Sequence, residues 1–137
     1  MEFHHNQSAF HKVRPVDLQH NLDNHHVINR MSFDALGRLF NEQEDIHSFY
    51  AQLLHYLHDI KIELMLSDTI VLDDRSNNRF LNLQSVAEQL GCERLQCLML
   101  YLHSLTPDEL CQHFPTIKSL LIQEEKLLSL EMNKLAQ

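Results

Sequence analysis

An all-α fold, a compact bundle of five to six helices preceded by a flexible polar N-terminal arm, is predicted by three features of this sequence. Glycine occurs twice and proline three times in 137 residues, which argues for helices over a turn-rich β fold. After residue 30, apolar residues recur at spacings of three and four, the period of a helix with one buried stripe. From Leu95 to Leu105 the chain is apolar at nearly every position (Leu95, Cys97, Leu98, Met99, Leu100, Tyr101, Leu102, Leu105). A helix there has no face left for water and belongs at the centre of the bundle.

Each element can be justified in chain order. Residues 1–30 hold six of the eleven histidines (His4, His5, His11, His20, His25, His26) among many Asn and Gln, and apolar residues are sparse. This predicts a loosely ordered arm with at most a short helical piece over Val16–Ile28, and a bundle domain over 31–137. Ser32 suits an N-cap for a short helix through Phe40, with Phe33, Leu36, Leu39 and Phe40 on its apolar face. Ile46, Tyr50, Leu53, Leu57, Ile60 and Leu64 then alternate spacings of four and three, while Ser48, Gln52, His55, Asp59 and Glu63 take the opposite side. That is a long amphipathic helix, and fewer than three heptads fit a bundle rather than an extended coiled coil.

Thr69–Leu72 is the only strand-like piece, and Asp73–Asn78 is rich in turn formers, so Ser67–Phe80 reads as a connecting loop, with a small hairpin to Phe80–Leu83 as the alternative. Val86, Ala87 and Leu90 mark a helix over Gln84–Leu90, ended by Gly91, and the central helix starts near Glu93. Thr106-Pro107-Asp108-Glu109 carries a cap, a proline for the first helical position and the acid of a capping box. Phe114-Pro115 interrupts that short helix, and Pro115 opens the last one, through about Leu135, with Ile117, Leu120, Leu121, Leu127, Leu128 and Leu135 available for packing.

Charge and cysteine content exclude several functions. A formal net charge of −8 opposes general affinity for phosphate backbones. No apolar run reaches the 18 or so residues of a membrane span, and Met1–Phe10 lacks the apolar stretch of a signal peptide, so a cytoplasmic protein is expected. Cys92, Cys97 and Cys111, odd in number and inside predicted helices, fit reduced thiols.

The chemical constellations are better explained by structure than by catalysis. Ala87 and Gly91 have the spacing of a helix-turn-helix, but the following helix offers only Arg94 to phosphates or base edges. His58-Asp59-Ile60-Lys61 resembles, over a four-residue stretch, the His-x-Leu-Lys core of histidine phosphotransfer domains, yet Ile62 stands where glycine would leave the histidine accessible. His55 and Asp59 form a solvated i,i+4 pair. Cys92, Cys97, His103, Cys111 and His113 bear zinc-binding atoms, but residues five apart on a helix diverge by about 140°. The N-terminal histidines have no metal-motif spacing. Neither a phosphate loop nor paired catalytic carboxylates are visible. No enzyme, metal or cofactor is expected.

A family resemblance adds to this reading. Phe33-Asp34-Ala35-Leu36, Phe49-Tyr50-Ala51-Gln52-Leu53-Leu54, Leu83-Gln84-Ser85-Val86-Ala87-Glu88-Gln89-Leu90 and Glu93-Arg94-Leu95-Gln96 follow one another in an order similar to that of the C-terminal collar domain of the delta-prime subunit of the bacterial DNA polymerase III clamp loader. Phe114-Pro115-Thr116-Ile117 and the leucines after it resemble that family's closing segment, and the likeness covers about residues 33–130. It implies a non-catalytic module of DNA replication that packs related subunits into a ring. The partners implied are clamp-loader subunits, or further copies of the chain as a homo-oligomer. The contact residues expected are Arg94, Leu98, Tyr101, Leu120, Leu121, Leu127 and Leu128. The alternative is a small acidic helical adaptor or regulator, with a DNA-binding repressor behind it.

Overall fold

The computed structural model describes residues 15–39, 43–66 and 74–135. Among them the chain forms seven helices and no strand: α1 (Pro15–Asp23), α2 (Arg30–Leu39), α3 (Gln43–Leu66), α4 (Asp74–Gln89), α5 (Glu93–Ser104), α6 (Pro107–Gln112) and α7 (Phe114–Leu135). The all-α bundle expected from composition and period is the architecture seen, with one or two more helices than anticipated.

Two pairings organise it. The hairpin of α4 and α5 is the most extensive contact, and α3 lies along α7. On α3 the six stripe positions Ile46, Tyr50, Leu53, Leu57, Ile60 and Leu64 are all buried, and the polar side is exposed. On α5, Arg94, Leu95, Leu98, Met99, Tyr101 and Leu102 are buried, so α5 is the surrounded helix its composition required. A fully buried leucine contributes roughly 1.5–3 kcal/mol, and these two stripes meet in one continuous core.

The turn between α4 and α5 is a Schellman motif. Cys92 N donates to Ala87 O at 2.8 Å and Gly91 N to Glu88 O at 3.2 Å, with Gly91 at φ 73°, the left-handed conformation that glycine adopts without a Cβ penalty. Tyr50 Oη donates to Leu90 O at 2.7 Å, tying α3 to this turn. Thr106 caps α6 as expected, with both halves of its capping box formed.

Four expectations are corrected. Leu18, Leu22 and Ile28 are buried in the core, and His26 O accepts from Arg94 N at 2.9 Å. The loose arm expected over Met1–Arg30 therefore does not extend over Pro15–Arg30; residues 1–14 lie outside the described residues. The cap of α2 is Asn29, whose Oδ1 accepts from Met31 N at 2.9 Å and Ser32 N at 3.2 Å, because Ser32 is drawn against Gly91. Leu39, assigned to the apolar face of α2, points outward. Helix α4 begins at Asp74, ten residues before Gln84, which removes the loop over Asp74–Phe80 and the hairpin alternative. Its stripe of Phe80, Leu83, Ala87 and Leu90 is buried, and burial of such a face outweighs weak local propensity. The strand-like Thr69–Leu72 lies outside the described residues.

Candidate interaction surfaces

The most unusual chemistry in the fold is a buried ion pair. Arg94 on α5 and Glu124 on α7 are 4% and 1% exposed. Arg94 Nε donates to Glu124 Oε2 at 2.7 Å, Nη1 to Asp23 Oδ1 at 2.9 Å and Nη2 to Gln123 Oε1 at 3.1 Å. All three guanidinium nitrogens are engaged, so one side chain ties α1, α5 and α7 together. Burial pushes the Glu124 carboxyl above the usual carboxylate range while Arg94 pulls it back. Its Oε1 has no hydrogen-bond partner among the described residues. The Arg94 hydrogen bond holds Asp23 below its ordinary value. Burial pushes the Cys92 thiol up to about 12 and also raises Cys97, which disfavours the thiolate form of both.

A second ionic cluster clamps α3 to α7. Glu125 Oε1 lies 2.8 Å from His58 Nδ1 and its Oε2 2.5 Å from Lys61 Nζ. Burial raises the Glu125 carboxyl, but the bonds from Lys61 and His58 outweigh it and leave a net lowered value. A depressed acid contributes its stability above the unfolded value of 4.5 and loses it as pH falls through the folded value. Glu125→Gln should therefore cost about 1 kcal/mol at neutral pH, the size expected for a partly exposed network. Urea midpoints of the two proteins should converge below pH 4.5; a gap that persists unchanged would refute the pairing. The same bond turns His58 toward Glu125, as an ordinary flank histidine. His55 and Asp59 form the exposed i,i+4 pair at 3.6 Å.

The residues expected to contact other subunits lie mostly elsewhere. Arg94, Leu98, Tyr101, Leu120, Leu121 and Leu128 are buried within the chain's own core, and Leu127 is half-buried. On α7 the apolar residues turned outward are Ile122 and Leu130. The central helix is likewise covered where a DNA-reading helix would need a free face, and its arginine is consumed by Glu124, Asp23 and Gln123. Cys92 is buried, Cys97 half-buried and Cys111 exposed, and no metal-binding group of three or more ligands occurs among the described residues.

Two surfaces stand out among the described residues. Between α3 and α4 runs a groove of about 350 Å³ lined by apolar Tyr56, Ile60, Leu83 and Val86 and by polar Asp59, Asn82 and Arg79. Arg79 is ion-paired with Glu63 of α3. The other surface is α2, which has no buried residue: Met31 is 80% and Leu39 78% exposed. Phe33 and Leu36 pack against the core, with Phe33 tilted on the Tyr50 ring at 6.0 Å, so the helix is apolar on two sides. The exposed pair was missed in the sequence because Leu39 fits the inner stripe almost as well as Leu36. Among the described residues no helix is long and apolar enough to cross a membrane. Compared with protein-family models, with curated proteins and with solved structures, the chain gives no match.

Proposed function

We propose that this chain is a non-catalytic protein–protein interaction domain, in its most specific form a collar-like module that joins subunits of a DNA clamp-loading assembly in the cytoplasm. The observation that carries the interaction reading is the uncovered apolar face of α2. Met31 and Leu39, two turns apart on one side of α2, are left to solvent, and apolar side chains aligned along one helix face suit a contact with another protein. The buried charges are committed to holding helices together, as Arg94 does with three partners.

Support for the collar form comes from the order of segments: a long amphipathic helix (α3), a polar connection, the Leu83–Leu90 stripe of α4, and a strongly apolar α5 opening with Glu93-Arg94-Leu95. The second reading, an acidic helical adaptor, is favoured by the α3–α4 groove, whose mixed apolar and polar lining suits an anchoring side chain of a bound partner. Mixing the purified chain with purified clamp-loader subunits and running size-exclusion chromatography separates them. Co-elution in one stoichiometric peak is the result expected of a collar module. Separate elution at concentrations well above the micromolar range removes the collar form and leaves the adaptor.

A further inference from the structure

We infer that the groove between α3 and α4 is the seat of an arginine side chain presented by a basic segment of a partner protein. The assignment rests on the interaction-domain reading above and names the partner's anchor. Tyr50 with Leu90 near one end and Glu63 with Arg79 near the other set the two helices antiparallel. On α3, Tyr56, Asp59 and Ile60 stand at i, i+3 and i+4, and on α4 Arg79, Asn82 and Leu83 repeat that spacing. Each helix therefore gives the groove one face about 100° wide. The space between them is about 350 Å³, at the small end of the roughly 300–1,000 Å³ of ligand pockets. It suits one long side chain.

Charge selects which one. Asp59 and Glu63 against Arg79 leave the groove and its edge with one net negative charge, in a chain of net charge −8. Arg79 is held by Glu63, so an acidic anchor would have to displace that carboxylate and approach an acidic protein. The Asp59 side chain stays 52% exposed beside its 3.6 Å contact with His55. One turn away Tyr56 is 52% exposed, and side chains three residues apart on a helix are neighbours. An exposed aromatic face next to a carboxylate recognises a cation. Arginine fits better than lysine, because its planar guanidinium can lie over the Tyr56 ring and present two N–H groups to Asp59. Ile60, Leu83 and Val86 supply apolar surface for the methylene stem.

Titrating the isotopically labelled full chain with Nα-acetyl-arginine amide, followed by backbone amide chemical shifts, tests this. Saturable shifts are expected around Tyr56, Asp59 and Val86, with an affinity in the millimolar range. The citrulline analogue, alike in shape but uncharged, should bind severalfold more weakly, and so should the lysine analogue. Asp59→Asn and Tyr56→Leu should each weaken binding severalfold with circular dichroism unchanged, since both side chains are exposed. Arg79→Gln should strengthen it, because the groove then loses its own positive charge. Absence of a saturable shift at concentrations well above the millimolar range overturns the inference. Citrulline or leucine amide binding as well as arginine overturns it too, as do shifts centred on another face. Failure of the probe while the chain still co-elutes with clamp-loader subunits removes the arginine seat and leaves the interaction-domain reading standing. Arginine binding that Asp59→Asn abolishes supports the inference whether or not those subunits co-elute.

Discussion

Replacing Arg94 by methionine is expected to destabilise the chain by about 3–5 kcal/mol, the usual cost of removing one partner from a buried ion pair. Set against a total stability of roughly 5–15 kcal/mol for a domain of this kind, that is a large fraction. The cause is the group left behind. Glu124 is 1% exposed, and without the guanidinium its carboxylate stays buried without the charge that neutralises it. Gln123 is exposed and the Asp23 carboxyl is 58% exposed, so both can rehydrate and add little.

The sign of the pH dependence follows. In the native chain burial already raises the Glu124 carboxyl, with Arg94 opposing; removing Arg94 takes away the opposition. A carboxyl with a raised folded value binds its proton more tightly in the folded state. Stability of Arg94→Met should therefore rise as pH is lowered from neutrality toward the unfolded value of 4.5, opposite to the contribution of Glu125. Arg94→Met with Glu124→Leu should recover most of the loss or exceed the native chain, since a packed apolar pair avoids the desolvation of two charges. Urea denaturation of the three proteins between pH 5 and 8 decides this. A loss below about 1 kcal/mol for Arg94→Met, flat with pH, would show that the pair is not buried as described.

These residues mark where the sequence was readable and where it was not. Periodicity located the buried stripe of α3 from Ile46 to Leu64, because one buried stripe on a long helix leaves a strict spacing of four and three. It read Asn41–Asp45 as an acidic link, although α3 already begins at Gln43. It also located the capping box of α6 and the glycine that ends α4, both local chemistry. Glu124 was overlooked although it stands three residues after Leu121 and four before Leu128, the place of a core residue in that stripe. The misplaced carboxylate was the available signal. Its partner could not be inferred, because Arg94 lies 30 residues from Glu124 and 71 from Asp23, and nothing local encodes such a meeting. For the same reason Leu98, Tyr101 and Leu120 were assigned to a subunit contact. An apolar residue in a strongly apolar helix has the same sequence signature whether its own chain or another covers it. Leu18 and Leu22 were passed over because two leucines in a polar stretch form too short a stripe to stand out from the histidines around them.

The second large effect lies at the turn on which α2 rests, where Gly91→Ala is expected to cost about 2–5 kcal/mol. Two terms add. A residue with a Cβ at φ 73° is roughly 1–2 kcal/mol less stable than glycine there. The added Cβ would also lie 2.5 Å from Ser32 Cβ and 2.7 Å from Ser32 Oγ. Ser32 Cβ is fixed to its backbone and cannot swing aside, so the first turn of α2 must move, an overpacking cost of roughly 1–3 kcal/mol. The double variant Gly91→Ala with Ser32→Gly removes the contact and keeps the dihedral strain, leaving Asn29 Cβ at 3.3 Å as a tight but yielding neighbour. A double-mutant cycle in thermal or urea unfolding should then show favourable coupling of about 1–3 kcal/mol; strict additivity would mean that α2 does not sit on Gly91. Because Asn29 N also donates to Gly91 O at 2.8 Å, moving α2 off this turn displaces the face carrying Met31 and Leu39.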